Sequence, residues 1–409
     1  MSIRARVGAW RHPGPIFWLL SGQLIMFTGI AALFPIAPLY VGRRGGGAVV
    51  IALFVAAPLI ANTLVQVPAG RLADRIGRRP MLLGSRLIYG VLALLLFADV
   101  GPLWVLAVLR TLQGVCAGAY VPALLASITD LSEPGTRGTR FAQMQACEMV
   151  GLLLGPLLGG AAALWRDSAA FGVSGVAVLV GTVPMSRVGE TRVAAAAREE
   201  RQQLQWWRER AILIPSLGLL AVGAVFSMYD VVWPQYLAAR GNDAFVIGLS
   251  ISLFAVPILF LARTGGRLSD RLDRRRLVPA AMLITACCAS SYPFMRSLPV
   301  ILAVGVGEAV AFVFLEPTLY AIIGDNAPAE ARGHAMGVGG FAQFSGSAFG
   351  AALLGALYGL GEGIPFWGAA GVLAVTAVVC ALLLPRRRAE PVLVRDTVSP
   401  LPMREGEPV

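Results

Sequence analysis

Apolar stretches of about twenty residues follow one another along almost the whole chain, separated by short arginine-bearing segments. A helix of that length crosses the hydrocarbon core of a bilayer. The stretches fall at roughly 16–41, 48–69, 80–98, 102–127, 141–164, 169–187, 211–238, 245–264, 277–296, 299–324, 335–358 and 364–384. Each is apolar on most faces, and lipid offers no water to backbone N–H and C=O groups, so a helix that satisfies its own backbone is the state such segments take. Only 14% of the 409 residues are charged, against about 25% in a soluble domain. The expected fold is an all-α integral membrane protein with twelve transmembrane helices. The first stretch follows Arg4, Arg6 and Arg11 as a signal peptide would, but it runs on to about Val41, well past an h-region of about 7–15 residues. It reads as an uncleaved span.

A net charge of +11, carried by 34 basic residues that are all arginine, raises the question of nucleic acid. The arginines sit in short clusters between apolar stretches and not along one face of a soluble fold, so nucleic acid is not an expected partner. Their distribution sets an orientation instead. About 26 fall in one set of loops and termini, and about five (Arg43, Arg44, Arg166, Arg240 and Arg296) in the opposite set. Both termini and the central loop are therefore expected in the cytoplasm, which requires an even number of spans. The absence of lysine beside abundant Ala and Gly reads as codon bias, and a bacterial inner membrane is the expected location. Cys116, Cys147, Cys287, Cys288 and Cys380 lie within apolar stretches without metal-ligand spacing, and His12 and His334 have no companion ligands. They read as packing residues, and no metal or cofactor is expected.

The chain repeats itself at an offset of about 195 residues. Gly70-Arg71-Leu72-Ala73-Asp74-Arg75 returns as Gly266-Arg267-Leu268-Ser269-Asp270-Arg271, Asp130 as Asp325, Arg137-Gly138 as Arg332-Gly333, and Pro38 and Tyr40 as Pro234 and Tyr236. Two six-helix bundles, 1–187 and 211–385, are expected to share one orientation and to rock about a central cavity. The charged segment 188–210, with Trp206 and Trp207, reads as an amphipathic cytoplasmic linker. The tail 386–409, rich in Pro, Arg and Glu, reads as disordered.

Three motifs carry the chemistry. The segment after span two reads Gly70-Arg71-Leu72-Ala73-Asp74-Arg75-Ile76-Gly77-Arg78-Arg79. Gly70 would let a helix end approach its neighbour, and Gly77 would allow a tight turn. Asp74 would accept hydrogen bonds from a helix N-terminus across the interface between halves, and Arg75, Arg78 or Arg79 would pair with it or with Asp130. Span four places Arg110 far from the arginine-rich end, too deep to snorkel there, so it should face a cavity or a partner. Span five reads Gly151-Leu152-Leu153-Leu154-Gly155-Pro156-Leu157-Leu158-Gly159-Gly160, in which small residues every fourth position permit close helix packing and Pro156 makes a pliable point. These segments resemble the signature loop, the span-four arginine motif and the span-five G-x-x-x-G-P-x-x-G-G motif of the major facilitator superfamily, in particular its twelve-span drug:proton antiporters. The resemblance covers nearly the whole chain. It implies transport by alternating access, a link between Arg110 and proton transfer, and antiport. No sugar-porter signature follows span six, where Pro184-Met185-Ser186-Arg187 is at best a remnant, and no ATP-binding or hydrolase signature occurs.

Four acids fall within spans: Glu148, Asp230, Glu308 and Glu316. A charge at the bilayer centre costs about 2.5–3.5 kcal/mol, so these carboxyls should line a wet cavity, pair with Arg110 or carry a proton. Glu308, near the midplane of span ten, is the first candidate for proton coupling or substrate binding. Glu316 lies two turns deeper on the cytoplasmic side, Glu148 lies two turns into span five with Gln343 as its repeat counterpart, and Asp230 suits an outer gate as well as a proton site. Similar exporters often carry an acid in span one; here that span offers only Gln23 and Thr28. The expected function is proton-coupled export of a small amphiphile by a monomer, its partners being substrate, protons and lipid. A dedicated exporter of one metabolite (a siderophore, a sugar or a self-made antibiotic) and a non-transporting receptor on the same fold are the alternatives. No nucleophile–base constellation suggests an enzyme.

Overall fold

The computed structural model describes residues 14–133, 136–191, 209–327 and 332–384, with side chains throughout except at 137–138, 262–271 and 332–334. Most of the expected linker and all of the expected tail lie outside these residues, as do Arg4, Arg6 and Arg11. Among the described residues, twelve helices are long and apolar enough to cross a bilayer, from Pro15–Arg43 to Ile364–Leu383. They are the twelve spans expected. Several begin with a proline in their first turn, as at Pro15, Pro299 and Pro365, where a missing N–H costs nothing and the fixed φ favours the helix. Large apolar side chains such as Leu64, Phe260 and Val375 stand well exposed on the outside, as a lipid-facing surface requires.

The structure changes three local expectations. The span-two helix Ala48–Ile76 runs some two turns past its expected end, so Gly70 to Arg75 lie on a helix and not in a loop; only Gly77 turns the chain. Span ten is two helices, Leu298–Phe312 and Leu315–Asn326, because Pro317 has no N–H to give and its ring displaces the carbonyl four residues back. Span one likewise breaks between Pro15–Ala31 and Ile36–Arg43, ahead of Pro35 and Pro38. Span eleven carries a π turn over Gly350–Leu354, at the repeat position of Gly155-Pro156.

Packing follows the repeat. Span one lies against spans five and six, span three against four and six, and span two against four; the second half repeats these contacts as seven with eleven and twelve, nine with ten and twelve, and eight with ten. The halves meet through span five on span eight, span two on span eleven, and the outer segment Ile36–Arg43 on span seven. These contacts gather toward the arginine-poor face, where Gly160 backs onto the Ala244 carbonyl and Gly359 onto Ala48. Toward the other face Gln143 and Gln145 of span five stand exposed. The halves are therefore closed at the arginine-poor face and diverge toward the arginine-rich one.

At the turn between spans two and three, Gly77 has φ +104°, a conformation that L side chains rarely adopt. Its missing side chain leaves room for Glu190, whose carboxylate accepts from the backbone N–H groups of Arg78 at 2.9 Å and Arg79 at 3.1 Å. Glu190 thus caps the span-three helix and ties it to the chain leaving span six. Glu190→Ala is expected to cost about 1–2 kcal/mol, read as a lower midpoint of thermal unfolding in detergent; an unchanged midpoint would remove the capping role.

Candidate functional site

At the arginine-rich face Arg78 forms an ion pair with Asp130, and Arg274 pairs with Asp325 at 2.6 Å, the same bond carried over to the second half. Of the three arginines expected to compete for Asp130, Arg78 is the one the structure places there. Asp74 and Arg75 lie exposed on the last turn of span two. Gly70 is not a point of unusually close approach among the described residues: a Cβ there would lie 3.6 Å from Pro122, ordinary van der Waals contact. The side chains of Gly266 to Arg271, the repeat of this segment, lie outside those described.

The span-five glycines face span one. A methyl group on Gly151 or Gly155 would press on the backbone of Thr28, and one on Gly159 would overlap the Ala32 carbonyl. Gly160 turns the other way, toward span eight, where Gly248 in turn lies against the Pro156 carbonyl. The motif is thus a two-sided contact surface, joining span five to its own half through three glycines and to the opposite half through Pro156 and Gly160. Gly346 and Gly350 make the corresponding close approach to span seven.

Two groups of acids emerge. Glu308 is 2% exposed, and each carboxyl oxygen accepts one tyrosine hydroxyl, from Tyr229 at 2.8 Å and Tyr292 at 2.6 Å. Tyr292 sits on the short turn closing span nine, and its own carbonyl accepts from Tyr236 at 2.6 Å. Beside these groups lies a cavity of about 70 Å³, lined by Phe226, Tyr229, Asp230, Trp233, Phe254, Glu308 and Phe312 among others. That is room for a few waters or part of a small ligand. Asp230 opens into this cavity and feels the charge of Arg110 from the first half. Arg110, half-buried, donates to Gln113 at 2.9 Å. Asp230 therefore shares a site with Glu308.

Glu148 and Glu316 form the second group, close enough across the opening between halves to interact electrostatically. Glu316 begins the helix after the span-ten break and lies near Gln343, whose side-chain oxygen accepts from Tyr320 at 2.8 Å. Glu148 accepts from the Gln23 amide at 2.8 Å. Gln23 belongs to a buried cluster that sequence reading missed. Its Oε1 accepts from the Tyr120 hydroxyl at 2.6 Å and lies 3.4 Å from an Arg86 nitrogen. Arg86, 1% exposed, also donates to Tyr120 at 2.8 Å and to the carbonyls of Gly181 and Gly22 at 3.1 and 3.3 Å, with its guanidinium 4.5 Å from the Tyr120 ring centre. The signal for Arg86 was present: once the loops have claimed their arginines, Arg86, Arg110 and Arg263 remain inside apolar stretches, and only Arg110 was singled out.

Comparison with known proteins agrees with this architecture. The profile of the Major Facilitator Superfamily matches residues 19–216 and again 215–405. The chain is 26% identical over 368 residues to multidrug resistance protein 2 of Bacillus subtilis, covering 85% of this chain and 90% of that protein. It is 25% identical over 336 residues to the staphyloferrin B transporter of Staphylococcus aureus, covering 77% and 79%. In fold it is similar to a D-xylose–proton symporter, with a TM-score of 0.77 and 15% identity over 91% of this chain and 98% of that one. The chain belongs to the Major Facilitator Superfamily and is a membrane transporter, not an enzyme.

Proposed function

We propose that this transporter is a proton-coupled antiporter that exports small amphiphilic compounds by alternating access, acting as a monomer with its arginine-rich face in the cytoplasm. In that orientation the structure is open to the inside. The observation that carries the reading is the cavity between spans seven, eight and ten, where an aromatic wall meets two carboxyls. Rings such as Tyr229, Trp233 and Phe254 suit the apolar body of an amphiphile, and Asp230 or Glu308 suits a positive head group. Glu308 exchanging its proton changes what Tyr229 and Tyr292 can donate to, so proton and substrate compete for the same groups. The four span acids outnumber Arg86, Arg110 and Arg263, which favours cationic or neutral substrates over anions.

The relatives named for multidrug resistance support drug export. The likeness to a staphyloferrin B transporter supports a second reading, export of one metabolite. A susceptibility panel in a pump-deleted bacterial host separates them. Wild type is expected to raise the inhibitory concentration of several chemically unrelated cationic amphiphiles, and Asp74→Asn to lose that protection. Protection confined to one compound would favour the second reading, and equal susceptibility of wild type and empty vector to every compound would sink the multidrug one.

A further inference from the structure

The Arg86 cluster has a direction. A guanidinium has five N–H donors and no acceptor, so the bond from Arg86 to Tyr120 runs one way. Tyr120, with its oxygen accepting from Arg86, turns its O–H to Gln23 Oε1. With that oxygen occupied, Gln23 presents its NH2 group to Glu148 Oε1. The chain runs from Arg86 to Gln23, through Tyr120 and by a longer direct bond of 3.4 Å, and on to Glu148, across spans three, four, one and five, and no link can reverse while Arg86 heads it. It closes most strongly on an ionised carboxylate: a proton on Oε1 would set donor against donor, and a proton on the other oxygen would turn a charge-assisted bond into a neutral one about half as strong.

We infer that Arg86, Tyr120 and Gln23 are positioning residues that hold span five to span one while Glu148 is ionised and unliganded, locking the empty carrier against exchange. The inference rests on the proton-coupled reading above. Strict antiport needs such a lock. A carrier that changes face empty and ionised, then returns protonated, leaks protons without moving substrate. Two events weaken the lock: Glu148 takes up a proton from water in the opening, which removes the charge that strengthens the bond from Gln23, or a cationic substrate claims the carboxylate from Gln23. Either loosens the polar tie on span five, whose far end, at Pro156 and Gly160, seals the arginine-poor face against span eight. Arg86 also ties span three to spans one and six through the Gly22 and Gly181 carbonyls. Its charge is fully buried, its Nε has no partner among the described residues, and the acid its hydrogen bonds reach is Glu148, through the neutral side chains of Gln23 and Tyr120.

Among the described residues, few groups face Glu148. Span one brings Gln23; spans three and four bring Arg86 and Tyr120, while Arg110 and Asp130 of span four engage Gln113 and Arg78. Glu316 of span ten is the like charge across the opening. Span six and the described side chains of span eight contain no titratable residue. Tyr40 and Arg43, in the outer segment of span one, bond Asp99 and Asp167, and on span five itself Cys147 is adjacent and Arg140 bonds Gln143.

The test uses the full chain in proteoliposomes with an imposed pH gradient and ethidium as the probe substrate. Tyr120→Phe removes one hydroxyl from the middle of the chain. It is expected to speed substrate-free collapse of the pH gradient about tenfold over wild type, the loss of a hydrogen bond in a chain that ends on a charge. Arg86→Lys should do the same if it folds. Glu148→Gln added to Tyr120→Phe should return the leak to the wild-type rate. A folded Tyr120→Phe protein with wild-type leak overturns the lock, as does a leak that persists with Glu148→Gln. Ethidium movement by wild type is scored separately: flux with no leak in the variant removes the lock and spares the antiport reading, and a Glu148-dependent leak without ethidium flux spares the lock and removes the drug reading.

Discussion

Glu308→Gln is expected to abolish proton-driven accumulation while leaving the protein folded. The substitution keeps the volume and a hydrogen-bonding head group, so Tyr229 and Tyr292 retain partners, but it removes the carboxyl that holds the two hydroxyls together. A proton entering down a two-unit pH gradient releases about 2.7 kcal/mol, which supports a substrate concentration ratio of about 100. With Glu308 as the coupling site, the ethidium ratio across proteoliposomes under that gradient falls from about 100 toward unity in the variant. Counterflow of ethidium without a pH gradient persists, because binding and exchange need no net proton movement. A variant that still concentrates ethidium as wild type does would strip Glu308 of the coupling role and leave Glu148, Glu316 or Asp230 to carry it.

The second large effect lies at the outer seal. Gly248 of span eight lies against the Pro156 carbonyl of span five, and that neighbour is backbone, which cannot swing aside as a side chain can. Gly248→Leu forces a branched side chain into this contact. Overpacking costs about 1–3 kcal/mol, a shift of roughly tenfold to a hundredfold in the equilibrium between sealed and open. The variant is expected to stand open at the arginine-poor face and to stop transporting. A cysteine at Asp230, with the five native cysteines replaced, reports the change: it should react with an impermeant maleimide applied from the arginine-poor side at least about tenfold faster in the variant. Equal labelling rates, or transport that survives Gly248→Leu, would show that this contact is not the seal. Gly248→Ala should give a smaller change in the same direction.

Both experiments turn on residues that were legible in the chain to different degrees. Glu308 stood out because a carboxyl inside an apolar stretch is costly, and cost is visible locally. Tyr229 and Tyr292, its partners, did not stand out; a tyrosine in an apolar span is unremarked until its hydroxyl is seen to meet an acid. The span-five motif was legible as a close-packing surface, but its double role was not, since spacing alone does not say that Gly159 faces span one while Gly160 faces span eight. Arg86 was open to the same reasoning as Arg110 and was overlooked in favour of a motif. Where proline broke a span, sequence marked the residue and not the outcome: Pro317 divides span ten, while its repeat counterpart Pro122 sits in the unbroken helix Leu103–Asp130.

The number of spans, the repeat at about 195 residues and the position of each acid along its span were set by the sequence alone. In lipid the length and polarity of a segment decide its state without reference to the rest of the chain. Which side chains meet was decided only by the tertiary structure. These helices are apolar nearly all round, so no amphipathic stripe tells which face turns inward, and the partner of a buried polar group comes from whichever helix packs beside it. Glu148 reaches Arg86 through Gln23 and Tyr120, four residues from four spans, and no spacing along the chain foretells that contact.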